Sequence, residues 1–441
     1  MIRETTHPKR AAGIAAAFAG ALALFLATGS PSATAADVYT PAPPEPGTDI
    51  PTAEVNFGMR PYADNTFYVI AMKKGWFADA GITIGPEELG LKVTDTNVNA
   101  LLLNGQLDIS SQYCPLMLPT YKSANTLKCI AFTDNFLGTA LLANPELGLK
   151  SFKEYIAEGM GFEEAITAAL APMNGKTLVG SPVLSKRPFE EAVSAFSGAT
   201  WDLDLMDDAK SLVLAKAGRI DFVNPEGAPI VYTLMKAGWT NLIDVGDLYN
   251  YGPGGVDSPM QKLVTIVGIA SHTGYINENQ NTILRFLSVA WRTLAAVDED
   301  PSLYELQAPY LNSVAGTDLD AKGVEETVAI LHPYSSFEYN EKYYRDESSL
   351  LYYLNAWPAI IADWAEKGLL PAGAVTAEEF VWGAAIWEQM KDYQAKSAAM
   401  IADLEGQSLD ADRQALLDRA KQYFEWFNFL DAYRMATAAS S

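Results

Sequence analysis

Basic residues are scarce. The 441-residue chain has 31 Lys and Arg against 54 Asp and Glu, a formal charge of −23. A phosphate backbone is gripped by a basic face, so nucleic acid is excluded as a partner. The acidic excess serves solubility. Histidine is rarer still: His7, His272 and His332, with no pair at metal-ligand spacing and none beside a carboxylate cluster. No nucleophile elbow Gly-x-Ser-x-Gly, no phosphate-binding Gly-x-x-x-x-Gly-Lys and no dinucleotide glycine fingerprint occurs. No catalytic residue, metal or cofactor is expected on these grounds. Only two cysteines are present, Cys114 and Cys129. One disulfide and two buried thiols are both open readings. Beyond residue 28 no apolar run is long enough to span a bilayer.

What is present begins with a processed end. Arg3, Lys9 and Arg10 precede an unbroken small-apolar run over 11–28, and Ser32-Ala33-Thr34-Ala35-Ala36 offers small residues at cleavage spacing. Residues 1–36 therefore read as a secretory signal peptide, which places the mature chain in the periplasm or outside the cell. A membrane helix is the alternative, but the run is Ala/Gly-rich and barely long enough. No Cys stands at the cleavage site, which argues against a lipid anchor there. Residues 37–52, with Pro41, Pro43, Pro44, Pro46 and Pro51, read as an extended Pro-rich linker. The remaining length exceeds one ordinary core.

One phrase occurs twice. Leu102-Leu103-Asn104-Gly105-Gln106-Leu107-Asp108-Ile109 is echoed by Ala215-Lys216-Ala217-Gly218-Arg219-Ile220-Asp221-Phe222. Each reads as a helix closed by Gly, then an apolar-Asp-apolar start of a strand. Two such units suggest two similar α/β lobes, with a cleft between them for a small molecule.

Strand and helix patterns alternate around both copies, predicting a βαβ architecture with largely parallel sheets. Strands are expected at 54–59, 82–84, 107–110, 128–132 and 139–143, with helices at 66–74, 96–104 and 115–123. After a helical insertion at 151–170 come strands at 176–180, 201–205, 221–223 and 242–245, and helices at 187–196, 209–216 and 228–237. The turn formers of 249–255 read as a loop, either a mobile rim or a connector. An apolar strand is expected at 263–269. From 278 onward the chain reads as helical, ending in two long helices, 377–404 and 410–437, broken at Gly406. Their aromatic residues read as packing residues or as a partner-docking hairpin.

The run Arg60-Pro61-Tyr62-Ala63-Asp64-Asn65-Thr66-Phe67-Tyr68-Val69-Ile70-Ala71-Met72-Lys73-Lys74-Gly75-Trp76-Phe77 resembles the opening signature of the NMT1/THI5-like solute-binding proteins, the nitrate, sulfonate, taurine and thiamine-precursor type. The Leu-Leu-Leu-x-Gly-x-Leu-Asp-Ile core at 101–109 is similar to that family's second signature. Residues 140–154, with Pro145, Gly148, Lys150 and Ser151, resemble its crossover into a second lobe. The resemblance covers 53–370. It implies a type II periplasmic-binding-protein fold: two α/β lobes, a hinge of two crossing segments near 137–143 and 263–269, and a C-terminal helical extension. Lobe one would comprise 53–138 and 262–375, lobe two 139–261, and the extension 376–441. The implied partners are a small-molecule solute, an ABC permease and its ATPase, with the protein acting as a monomer that closes over its ligand. Two departures stand out: Asn224-Pro225-Glu226 lacks the aromatic that relatives often carry before the Pro, and the C-terminal extension is long.

Polar and aromatic residues cluster where strands turn into helices: Tyr62, Asp64 and Asn65; Ser110, Ser111, Gln112 and Tyr113; Asn135, beside Asp134 and Phe136; Ser181; and Asn224 and Glu226. These are the candidate ligand-binding residues. Helix starts favour anions, aromatic faces suit planar or cationic groups, and each residue taken alone also reads as an N-cap. Asp64, Asp134 and Glu226 oppose an anion. The sign of the ligand stays open between a sulfonate-like group and a planar, nitrogen-containing molecule. Two other roles are compatible with the sequence: a secreted enzyme of the same fold acting on a small heterocycle, and a ligand sensor that docks partners through its C-terminal helices.

Overall fold

The computed structural model describes residues 38–182, 186–254, 258–264, 266–331 and 333–441. The expected signal peptide, His332 and part of the 249–255 run lie outside the described residues.

Among the described residues, eleven strands form two sheets. The first takes β1 (Ala53–Met59), β2 (Ile82–Gly85), β3 (Leu91–Lys92), β4 (Ile109–Tyr113), β5 (Leu127–Asn135) and β11 (Ile266–His272). The second takes β6 (Ala140–Ala143), β7 (Lys176–Gly180), β8 (Trp201–Leu205), β9 (Phe222–Asn224) and β10 (Thr240–Asp244). The first sheet runs β2-β1-β4-β11-β5, with β3 also on β1; read from its far end, the second runs β8-β7-β9-β6-β10. The two orders are the same plan. Three parallel strands are followed by one antiparallel strand, β11 or β6, and then by an outer strand. Largely parallel sheets were expected. The antiparallel member in each arises because the chain crosses between sheets twice, once between Asn135 and Ala140 and once on the way back to β11.

The repeated phrase takes the same place in each plan. Gly105 and Gly218 close helices Val98–Leu103 and Asp208–Lys216 at φ +70° and +67°, a conformation that favours Gly. The strands that follow, β4 and β9, lie beside β1 and β7. Strands β4 and β5 are buried along their whole length.

Several boundaries differ from the sequence reading. Residues Cys114–Lys122 form a 3₁₀ run carrying Pro115 and Pro119, not an α-helix. Helix Val245–Tyr251 takes the start of the expected 249–255 loop, launched by a capping box between Asp244 and Asp247. The expected strand at 263–269 starts at Ile266, because Leu263 ends a 3₁₀ turn. His272 caps helix Thr273–Glu278, its Nδ1 accepting from Tyr275 N at 3.2 Å. The last expected helix is two, Ala411–Glu425 and Phe429–Ser440, which pack with Gly383–Glu405. No helix among the described residues is long and apolar enough to cross a membrane.

The described part of the Pro-rich segment forms neither helix nor strand, and it is held against the rest of the chain. Tyr39 is buried with its hydroxyl donating to Gln389, and Arg434 donates to the carbonyls of Glu45 and Asp49, both at 2.9 Å. Proline removes the amide donors a strand would need and leaves carbonyls for arginines to bind.

Cys114 and Cys129 are joined, with Cα atoms 5.9 Å apart. The bridge ties the 3₁₀ run to β5. Closing a loop of this size constrains the unfolded chain by about 3 kcal/mol. The Cys114→Ala/Cys129→Ala variant is therefore expected to be less stable by that amount in urea unfolding, with a lower midpoint, and dithiothreitol should shift the parent but not the variant.

Candidate functional site

A cavity of about 30 Å³ lies between the two sheets. Arg60, Tyr62 and Asp64 reach it from the segment after β1, Tyr113 from the end of β4, and Val267 from β11. Phe136 comes from the first crossing, and Lys186, Glu226, Gly227 and Ala228 from the second lobe. Both lobes thus line it with the ends of their strands and the starts of their helices, where an open α/β sheet offers ligand positions. The lobes are in contact around it. A Cβ on Gly227 would stand 3.8 Å from Tyr62 Cδ1. An apolar cluster containing Tyr113, Phe136 and Val267 continues into Ala140, Val179 and Val223.

The charges are arranged unevenly. Arg60 is buried and pairs with Asp95 at 2.5 Å, and its guanidinium lies 4.7 Å from the Tyr62 ring centroid. Burial opposes its charge, but Asp95 and the other acids outweigh burial and hold its pKa above the ordinary value. Lys186 Nζ donates to Glu226 O at 3.0 Å and Thr139 Oγ1 at 3.2 Å, and lies 4.3 Å from the Phe136 ring. Burial pushes its ammonium down against the pull of Glu226, Asp208 and Glu190. Glu226 accepts from Ser181 Oγ at 2.9 Å. Burial, then the Asp95 charge, pushes its carboxyl up to about 7, against Lys186 and Arg60. Asp208 accepts from the backbone N–H groups of Glu226 and Gly227 at 3.0 and 2.8 Å. The start of helix Ala228–Lys236 therefore already holds a carboxylate of the chain itself. With Arg60 matched by Asp95 and Asp208 held by the backbone, Lys186 faces the cavity against Asp64 and Glu226.

Of the residues expected from sequence, Tyr62, Asp64, Tyr113 and Glu226 line this cavity, and Ser181 supports Glu226. The rest stand off it. Ser110 Oγ donates to Gly58 O, and Ser111 Oγ accepts from Arg60 N. Gln112 donates to Asn99 at 2.9 Å, Asn65 to Asp64, and Asn224 to Glu190 at 2.8 Å. Asn135 ends β5. At 111–113 and 134–135 the sequence reading places strand-to-helix turns. They are strand, and strand neighbours face opposite ways. Arg60 and Lys186 were missed as site residues. For Arg60 the sequence offered one signal, a basic residue directly after the first strand, whereas nothing local marked Lys186. Asn65, Asn135 and Asn224 each carry a buried amide oxygen with no hydrogen-bond donor. Among the described residues, no group of three or more His, Cys, Asp or Glu side chains is placed to hold a metal ion.

No protein-family model matches the chain. No curated protein matches it in sequence. Solved structures do match in shape. The alkanesulfonate-binding protein SsuA from Xanthomonas axonopodis pv. citri, bound to MOPS, is 15% identical with a TM-score of 0.52, covering 76% of this chain and 99% of that one. The periplasmic aliphatic sulphonate-binding protein SsuA from Escherichia coli is 13% identical with a TM-score of 0.53, covering 75% and 92%. The periplasmic nitrate-binding protein NrtA from Synechocystis is 12% identical with a TM-score of 0.52, covering 77% and 88%. At such identities the likeness concerns the fold. The fold is the two-lobed α/β, type II periplasmic-binding-protein architecture, with a helical C-terminal extension.

Proposed function

We propose that the protein is an extracytoplasmic solute-binding protein that captures a small, nitrogen-bearing organic solute between its lobes and passes it unchanged to an ABC permease and its ATPase. The observation that carries this reading is the cavity lined from both lobes by buried charged side chains. At about 30 Å³ it has room for little more than a water or two. A solute enters only when the lobes part, and closure then buries it, the hinge-type closure of paired domains. The solved neighbours named for sulfonate and nitrate binding support the class of function.

The charge of the solute follows from the wall. A basic group answers Asp64 and Glu226, the two carboxylates that line the cavity. Tyr62, Tyr113 and Phe136 supply faces for a planar or cationic group. A second reading, an anionic head such as a sulfonate, rests on Lys186 and Arg60, two buried cations at the cleft.

A thermal-shift panel tests both. Choline, agmatine and cytosine stand for nitrogenous solutes, and taurine, methanesulfonate and nitrate for the second reading. A ligand at a hundred times its dissociation constant adds about 2.7 kcal/mol of stability, a shift of several degrees. Stabilisation by the nitrogenous group is expected. Stabilisation by methanesulfonate or nitrate alone would overturn the ligand class, and unchanged melting with every class would count against capture itself.

A further inference from the structure

The two lobes carry matching aspartates. Asp95 stands ten residues before Gly105 and Asp208 ten before Gly218, so the repeated phrase extends back through each helix to an acid at or just before its start. The helix ends agree as well: Gln106 N donates to Leu101 O at 2.9 Å and Arg219 N to Leu214 O at 3.0 Å.

Each aspartate engages a different anion-receiving group of the cleft. Asp95 Oδ1 accepts from Arg60 Nε and lies 2.5 Å from Arg60 Nη2. Asp208 takes two N–H groups at the start of helix Ala228–Lys236. Its Oδ1 accepts from Glu226 N at 3.0 Å and its Oδ2 from Gly227 N at 2.8 Å. Gly227 is the N-cap of that helix and brings no side chain of its own. A guanidinium and a pair of helix-start N–H groups are the usual holders of an anion. Here both are already taken by the chain.

The two pairs flank one ring. The Arg60 guanidinium lies 4.7 Å from the Tyr62 centroid, and a Cβ on Gly227 would lie 3.8 Å from Tyr62 Cδ1 and 3.3 Å from Asp208 Oδ2. Arg60, Tyr62 and Gly227 all line the cavity. Both acids act on Tyr62: burial, then the charges of Glu226, Asp95 and Asp208, raise its hydroxyl well above the ordinary value against Arg60. Asp207 does something else. It is exposed and caps its own helix, Asp208–Lys216, accepting from Lys210 N at 2.9 Å. Asp208 is therefore not needed as that cap.

We propose that Asp95 and Asp208 are built-in counter-ions that set the sign of the solute: from equivalent positions in the two lobes, each fills a group that would otherwise receive an anion, and the cleft is closed to anions as a result. The proposal rests on the reading of the cleft as the solute site and names the residues that decide its selectivity.

The test is a thermal-melt titration of the full chain with sodium formate, against formamide and against sodium chloride at equal ionic strength. Formate has the shape and charge of the group that Asp208→Ala removes. The parent should not respond. Asp208→Ala and Asp95→Ala should each be stabilised saturably, with formate bound about tenfold more tightly than formamide. Asp208→Ser and Asp95→Ser open nearly the same space and are read in place of an Ala variant that does not fold. Asp207→Ala removes the neighbouring, exposed carboxylate and should gain no response to formate. A parent that binds formate as tightly as the variants, variants that take formamide as readily as formate, a gain at only one of the two positions, or an equal gain in Asp207→Ala would each overturn the proposal. The result needs no natural solute. A parent that captures nothing from the solute panel would sink the capture reading, while the formate titrations would still decide this one.

Discussion

Replacing Asp431 by Ala is expected to cost about 3–5 kcal/mol of stability, the largest effect of any single change considered for this chain. Asp431 is fully buried and surrounded by donors. Arg285 reaches it through Nε at 2.8 Å and Nη2 at 2.9 Å, Arg434 through Nη1 at 2.6 Å, and Asn428 through Nδ2 at 2.8 Å. Arg285, 1% exposed, also binds Glu45 through both terminal nitrogens at 3.0 Å. Three parts of the chain meet here: the Pro-rich segment, the long helix Gln280–Glu299 and the last helix, Phe429–Ser440. Removing Asp431 leaves two buried guanidinium groups with only the half-buried carboxylate of Glu45, on Arg285, and the uncompensated charge of Arg434 is what makes the change costly. Glu388 is the control. It pairs with Arg345 through two bonds of 2.6 Å, but both side chains are 45% exposed. Water screens that pair, so Glu388→Ala should cost about 1 kcal/mol or less. Urea midpoints of the two variants decide the matter. Equal midpoints would mean that the buried cluster does not hold the three segments together.

The same cluster sets an acid limit. Burial pushes the Asp431 carboxyl up, but its bonds and charge contacts with Arg285 and Arg434 outweigh burial and hold it below the ordinary range. Glu45, half-buried, is held low by the same arginine against its own burial. A depressed folded value means that the unfolded chain takes up protons first. The stabilisation is therefore present above pH of about 4 and is lost as the pH falls below it. Between pH 7 and pH 3 the parent should lose more stability than Asp431→Asn.

Much of this fold was legible because each half announces itself locally. The glycines at 105 and 218 are read from sequence, since few other residues tolerate a left-handed helix end, and the apolar-Asp-apolar run after each fixes a strand. Strands β7 and β8 match their expected bounds residue for residue. What stayed illegible is what depends on a partner far away in the chain. Nothing local marks β11 as antiparallel to β4 and β5, because its place comes from the return of the chain. Phe427 hid the break between the last two helices by standing where a glycine would have signalled it. The Pro-rich segment looked like a spacer because the groups that hold it, Gln280, Arg285, Gln389 and Arg434, lie far along the chain. The cleft divided in the same way. Tyr62, Asp64 and Glu226 were visible as polar residues at helix starts, whereas the role of Lys186 depends on Phe136 and Thr139 from the crossing segment.

Exchanging single charges in that cleft gives the second large effect. With the best nitrogenous solute of the panel, Glu226→Gln should weaken capture by about ten- to a hundredfold, the worth of a hydrogen bond to a charged group. Lys186→Met should not weaken it, since it removes a cation facing the same cavity. An anionic solute reverses the order, and the pair of variants therefore reports the sign of the ligand. The pH dependence gives an independent check. Because Glu226 is pushed up to about 7, it ionises across the neutral range, and affinity for a cation should rise from pH 6 to pH 8. For the unliganded protein the sign is opposite. Its folded value lies above the unfolded one, near 4.5, so the folded state holds the proton longer, and stability falls as pH rises between those two values. Glu226→Gln should remove both slopes. Calorimetric titrations of parent and variant at pH 6, 7 and 8 would show it. A parent whose affinity is flat across that range, or a Glu226→Gln variant that keeps the slope, would place the ionising group of the cleft elsewhere.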